Sequence, residues 1–219
     1  MAVPPVVVRV QMPERGVFLV RCPHGVSPRV GEQAIVALDY GEDVGVVKAV
    51  EALSTGMPPA FQYVRARTSA DAAHEAANAQ RAQTLRDEFL DQARRTDRTL
   101  RVPYARLAFG GGRFFLGYAT ADARADVSRA VADLRQRYGL SVHARRLGPR
   151  DEVAWLGAIG SCGRPCCCAT WQTHPPAGLT ADRCRGCAAG AQHGVCGRFK
   201  CCLAFERDGD LQIERTERT

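Results

Sequence analysis

Nine of the ten cysteines in this chain lie between Cys162 and Cys202, and their spacing repeats. The run Cys162-Gly163-Arg164-Pro165-Cys166-Cys167-Cys168 returns as Cys196-Gly197-Arg198-Phe199-Lys200-Cys201-Cys202, with C-G-R-x-x-C-C shared at a constant offset of 34 residues. Two copies in register predict two matching half-sites rather than random cysteine enrichment. The glycine after the first cysteine lets the backbone curl tightly, so that this sulfur and one from the later pair can converge. The arginine can neutralise thiolate charge or donate to sulfur. Such a segment reads as a metal-binding turn. Adjacent cysteines point in different directions, so both members of a pair rarely serve one small ion. Ligand assignment within the pairs therefore stays open.

Between the repeats stands Cys184-Arg185-Gly186-Cys187, a C-x-x-C knuckle of the type zinc favours, with His174 and His193 as further candidate ligands. Four thiolates suit zinc and iron–sulfur clusters alike, and spacing does not choose between them. Arg164, Arg198 and Lys200 are the cations expected beside a cluster or, in a zinc-containing nucleic-acid-binding protein, on phosphates. Thiol catalysis would need a thiolate of lowered pKa beside a general base, and no such pairing is recognisable in the sequence. No catalytic residue and no small-molecule substrate pocket are expected, so the reading is of a protein that is not an enzyme.

The compartment argument strengthens the metal reading. No apolar run approaches the roughly 18 residues of a membrane helix, and the N-terminal stretch lacks the order of a signal peptide. The expectation is a cytoplasmic protein without membrane insertion, whose thiols are kept reduced. Cys22 stands apart from the others and reads as a small buried hydrophobe. The net charge of +7 is uneven: residues 61–150 carry 17 basic and 9 acidic groups, while 1–60 and 151–219 are nearly balanced. The middle unit is thus the candidate for contact with RNA or an acidic protein, set against the alternative of a solvated helix surface.

The elements that must position the cysteines give an α+β fold in parts. Residues 1–57 form a small β-rich unit, a barrel or meander, with strands Val6 to Val10, Val17 to Arg21, Gln33 to Leu38 and Val44 to Val50, and a hairpin loop at Tyr40-Gly41-Glu42-Asp43. A break at Met57-Pro58-Pro59 precedes a central α/β sandwich over 61–150. Its first helix starts with Thr68 or Ser69 as cap, runs to about Arg95 and buries the narrow stripe Ala82, Leu85, Phe89 and Ala93. A β-hairpin turning at Gly110-Gly111-Gly112 follows; no lysine with serine or threonine comes after it, so it is not read as a phosphate loop. A second helix carries Val127, Ala130, Val131, Leu134 and Tyr138, capped by Asp126 or Asp122 and stopped by Gly139. The strand Leu140 to Leu147, with a structural His143, returns to the sheet. The cysteine-rich metal module spans 151–206, and 207–219 is a tail.

The runs Arg145-Arg146-Leu147-Gly148-Pro149-Arg150-Asp151-Glu152, Leu156-Gly157-Ala158-Ile159-Gly160-Ser161-Cys162-Gly163-Arg164-Pro165, and Gly194-Val195-Cys196-Gly197-Arg198 into Cys201-Cys202-Leu203-Ala204-Phe205-Glu206, together with Tyr118-Ala119-Thr120-Ala121-Asp122, resemble the bacterial RicT, or YaaT, family. The resemblance implies a regulatory, non-catalytic iron–sulfur adaptor that works with two small partners, RicA and RicF. It also implies association with the endoribonuclease RNase Y, maturation of messenger RNAs, and links to sporulation, competence and biofilm formation. It implies a 4Fe-4S cluster; zinc, from the thiolate spacing, is the alternative metal. The candidate ligands it gives are Cys162, Cys167, Cys168, Cys196, Cys201 and Cys202. This chain departs from the family at Cys166, where the family has an apolar residue, and over Thr180 to His193, where Cys184 and Cys187 replace a polar linker. These extra thiols are candidates for a self-contained cluster or an added zinc site.

Overall fold

A computed structural model describes residues 6–13, 16–52, 59, 61–172 and 192–205. Eight strands and four α-helices are assigned among them, and the fold is mixed α+β.

The N-terminal part is a closed barrel of five strands: β1 (Val6–Met12), β2 (Gly16–Arg21), β3 (Gln33–Leu38), β4 (Gly41–Ala52) and β5 (Phe61–Ala66), in the order β1-β2-β5-β3-β4. Alternation sends Val8, Val10 and Met12 of β1 inward, where they meet Val20, Cys22, Ala34, Val36, Val47 and Tyr63. Cys22 is buried in this core, as read from the sequence, and burial pushes its thiol up. Gly45 leaves room for the inward side chains of the paired neighbour β1: a side chain there would collide with Val10 and Met12. The sequence reading places no strand after the break at Met57-Pro58-Pro59. The structure puts β5 there, pairing parallel with β2 and antiparallel with β3 to close the barrel. Its period-2 signal is weak because only Tyr63 of its six residues is buried.

The next part is a three-stranded sheet, β6 (Arg101–Leu107), β7 (Arg113–Ala119) and β8 (Ser141–Arg146), in the order β6-β7-β8, with β8 parallel to β7. Helices α1 (Asp71–Ala93) and α2 (Ser128–Tyr138) share one core with it. Ala82, Leu85, Phe89 and Ala93 of α1 pack with Val102, Leu107, Phe114, Leu116 and Val142 of the strands and with Ala130 and Leu134 of α2. The α1 stripe is therefore the one the periodicity predicts. The helix start differs: Ala70 is the N-cap, and the Asp71 carboxylate turns back to accept from the Thr68 amide at 2.8 Å and the Thr68 hydroxyl at 2.9 Å. Arg65 at the end of β5 pairs with both Asp71 oxygens and, with the Thr68 contacts, holds that carboxyl well below the usual carboxylate range. Gly139 ends α2 in the left-handed region at φ +64°, where an L side chain is strained.

The barrel meets this sheet at the β6–β7 hairpin, and its β5 end also pairs with α1 through Arg65 and Asp71. Asp43, 1 % exposed, takes hydrogen bonds at 2.8 Å from both terminal nitrogens of Arg106 in β6, and also from Tyr40, Val44 and Phe109. Gly110, in the β6–β7 turn, donates to the Glu42 carbonyl at 2.8 Å. Tyr40 packs edge-on to Phe115.

Candidate metal centre

The sheet hands the chain to the cysteines through α3 (Pro149–Leu156), a helix absent from the sequence reading. Its local signal is proline at the first helical position, with the Asp151 carboxylate accepting from the Gly148 amide at 3.3 Å. Trp155 stacks on Tyr104 with ring centroids 3.9 Å apart, and Arg101 pairs with Glu152 at 2.8 Å, so α3 is fixed to β6.

The sequence repeat is a structural repeat. In the first turn Gly160 donates to Arg164 O, Gly163 to Gly160 O and Cys166 to Ala158 O, at 2.8–2.9 Å. In the second, Gly194 donates to Arg198 O, Gly197 to Gly194 O and Lys200 to Gln192 O, again at 2.8–2.9 Å. Each bond is offset by the 34 residues of the sequence repeat. Isolated bridges Ile159↔Pro165 and His193↔Phe199 close the two turns at equivalent places. Gly163 and Gly197 sit at φ +75° and +73°, the left-handed region that explains why glycine follows the leading cysteine. Each turn leads into a short helical segment, α4 (Cys167–Thr170) after the first and a 3-10 turn (Cys201–Phe205) after the second.

The two turns bring their thiols within electrostatic reach. Burial pushes the Cys166 thiol up, and the neighbouring thiols of Cys196, Cys167, Cys162 and Cys201 push it further. Burial also raises Cys168, which Arg150 pulls down and Cys166, Cys201 and Cys196 push up. All of these cysteines are free thiols. A metal bound here would have to displace the thiol protons, and its positive charge would then cancel the repulsion among the thiolates. Soft thiolate donors select zinc, copper(I) or iron–sulfur clusters. The donor chemistry thus fits such a group, although among the described residues no three Cys, His, Asp or Glu side chains stand in ligand geometry around one point.

Other predicted residues fall as follows. Cys162 and Cys202 are exposed, and Cys166, Cys167, Cys168, Cys196 and Cys201 are half-buried. Arg164 and Arg198 are exposed and Lys200 is half-buried. His193 stacks on Phe199 at 5.0 Å. His143 lies edge-on to Phe115 on the exposed face of β8. Cys184, Cys187, His174 and the tail lie outside the described residues. The residue that sequence reasoning missed is Arg150, whose Nε donates to Cys201 Sγ at 3.5 Å. No described helix is long and apolar enough to cross a membrane.

Over 54 residues the chain is similar to a sporulation protein. The relative is stage 0 sporulation protein YaaT of Bacillus subtilis, 44% identical across a stretch that covers 25% of this chain and 20% of the relative. The relationship is thus YaaT-like over part of the chain, and the matched stretch spans about a fifth of the relative's length. No family model matches, and no solved structure matches significantly.

Proposed function

We propose that the chain is a non-catalytic regulatory adaptor of the YaaT kind, whose two cysteine turns hold a thiolate-bound metal centre, a 4Fe-4S cluster in the first instance. The observation that carries this reading is the duplicated turn, in which sequence, hydrogen bonds and positive-φ glycines repeat together. Cys162 and Cys196 lead the turns, and Cys167, Cys168, Cys201 and Cys202 close them, with Cys166 as an added donor in the first. Cys184 and Cys187 supply further thiols from the intervening segment. The cluster, when bound, supplies charge and rigidity; the chain's own residues aim the sulfurs and offset their repulsion.

Docking is supported by the surface around the turns. Of the nine large hydrophobic side chains left exposed among the described residues, Trp155, Leu156, Ile159, Trp171 and Val195 all belong to this module. Exposed apolar side chains gathered in one segment of the chain are what a partner's apolar surface would cover. RicA- and RicF-like proteins and RNase Y are the proposed partners, and maturation of messenger RNA is the proposed process. Deleting the protein, then mapping transcript ends, tests this: RNase Y-dependent ends should fall while the level of the nuclease is unchanged. Transcript ends that match the parent strain would remove the adaptor reading.

The exposure of Arg164 and Arg198 on the two turns favours a second reading, a zinc-containing protein that contacts RNA phosphates directly. In that case the isolated chain binds RNA with a steep loss on adding salt, and it carries zinc without sulfide.

A further inference from the structure

Arg150 is 5 % exposed, whereas, Leu203 apart, every described residue from 151 to 203 is half-buried or exposed. A buried guanidinium must place its donors on acceptors, because leaving them dry is costly. Arg150 places them on both repeats. Its Nη2 donates to the Gln172 carbonyl at 2.6 Å, and the Gln172 amide donates to Cys167 O at 2.8 Å, at the end of the first half-site. Its Nε donates to Cys201 Sγ at 3.5 Å, in the second half-site.

The arginine itself stands on α3, which is fixed to the sheet through Trp155 on Tyr104 and through Glu152 on Arg101. Arg198 of the second turn also lies against the start of α3, its Nη2 3.4 Å from where a side chain at Gly148 would begin. One rigid guanidinium therefore joins three pieces that are far apart in sequence: the sandwich, the first cysteine turn and the second. A lysine could not do this, since its single ammonium lacks the planar fork that reaches two acceptors in fixed directions.

We propose that Arg150 is the positioning residue of the centre, tying the end of the first cysteine turn to a thiol of the second so that the two half-sites are held, and take up metal, as one unit. The metal part rests on the metal-centre reading above; the coupling of the two turns does not. The test uses the full chain as wild type, Arg150→Gln and Arg150→Lys, with amide hydrogen exchange on metal-free protein and cobalt(II) titration followed by the thiolate charge-transfer band.

In Arg150→Gln, exchange should rise in 167–172 and 196–203 together, while the barrel and sandwich stay protected. Cobalt affinity should fall by about 10–100-fold, the usual cost of losing an outer-shell partner, and uptake should separate into two steps. Arg150→Lys should recover part of the affinity without restoring joint protection, and it decides the matter if Arg150→Gln unfolds the whole chain. Loosening of one half-site alone, or of neither, overturns the coupling. Unchanged cobalt affinity with a wild-type band overturns the positioning role. Failure of the wild-type chain to take up cobalt removes the metal-centre reading, and the exchange comparison still decides the coupling.

Discussion

Asp43 accepts hydrogen bonds from the barrel side, through Tyr40 and Val44, and from the sheet side, through Arg106 and Phe109. Its side chain is 1 % exposed while that of Arg106 is 24 % exposed, so the carboxylate carries most of the desolvation. Removing one partner of such a pair leaves a buried charge uncompensated. Arg106→Ala, which strands the buried Asp43 carboxylate, should therefore cost about 3–5 kcal/mol, seen as an earlier midpoint in urea denaturation; a loss under about 1 kcal/mol, the range of an exposed pair, would contradict the account. None of this is legible locally. The sequence places Asp43 in a hairpin loop, but the partner Arg106 is 63 residues away, and only the folded sheet brings it there. Arg150 escaped the reading for the same reason, its sulfur partner being 51 residues on. The cysteines and their glycines were legible because their chemistry and turn geometry are local.

At the scale of elements, the long α1 stripe, the glycine hairpin and the second helix followed from periodicity and stop signals, since each buries one face against the same core. The short α3 and the mostly exposed β5 did not, because eight and six residues carry too little periodic signal to outweigh loop readings. The cysteine turns make the element-level prediction. Gly163 and Gly197 hold φ +75° and +73°, with open space where a side chain would sit. Alanine at either place is thus penalised by backbone strain alone, about 1–2 kcal/mol for a left-handed L-residue. Gly163→Ala and Gly197→Ala should weaken metal retention to a similar degree, measured by competition with a chelator, and the barrel should melt as before. A large effect at one position and none at the other would mean that the two turns are not equivalent half-sites.

For the whole molecule, the barrel and the α/β sandwich form a platform locked by Asp43 and Arg106, and α3, fixed to β6, leads the chain into the cysteine turns. Charge and apolar exposure are divided along the chain: the excess of arginine lies in 61–150, and the exposed tryptophans lie in the cysteine module. The central claim is that two equivalent turns build one thiolate metal centre. Its most direct test is the iron, sulfide and zinc content of the chain purified without oxygen, compared with Cys162→Ser, Cys196→Ser and the double variant. The account predicts iron with matching sulfide and broad visible charge-transfer absorption in the wild type, lost about equally in either single variant and no further in the double. Metal retained in full by both single variants, or no metal in any of the four proteins, would contradict it.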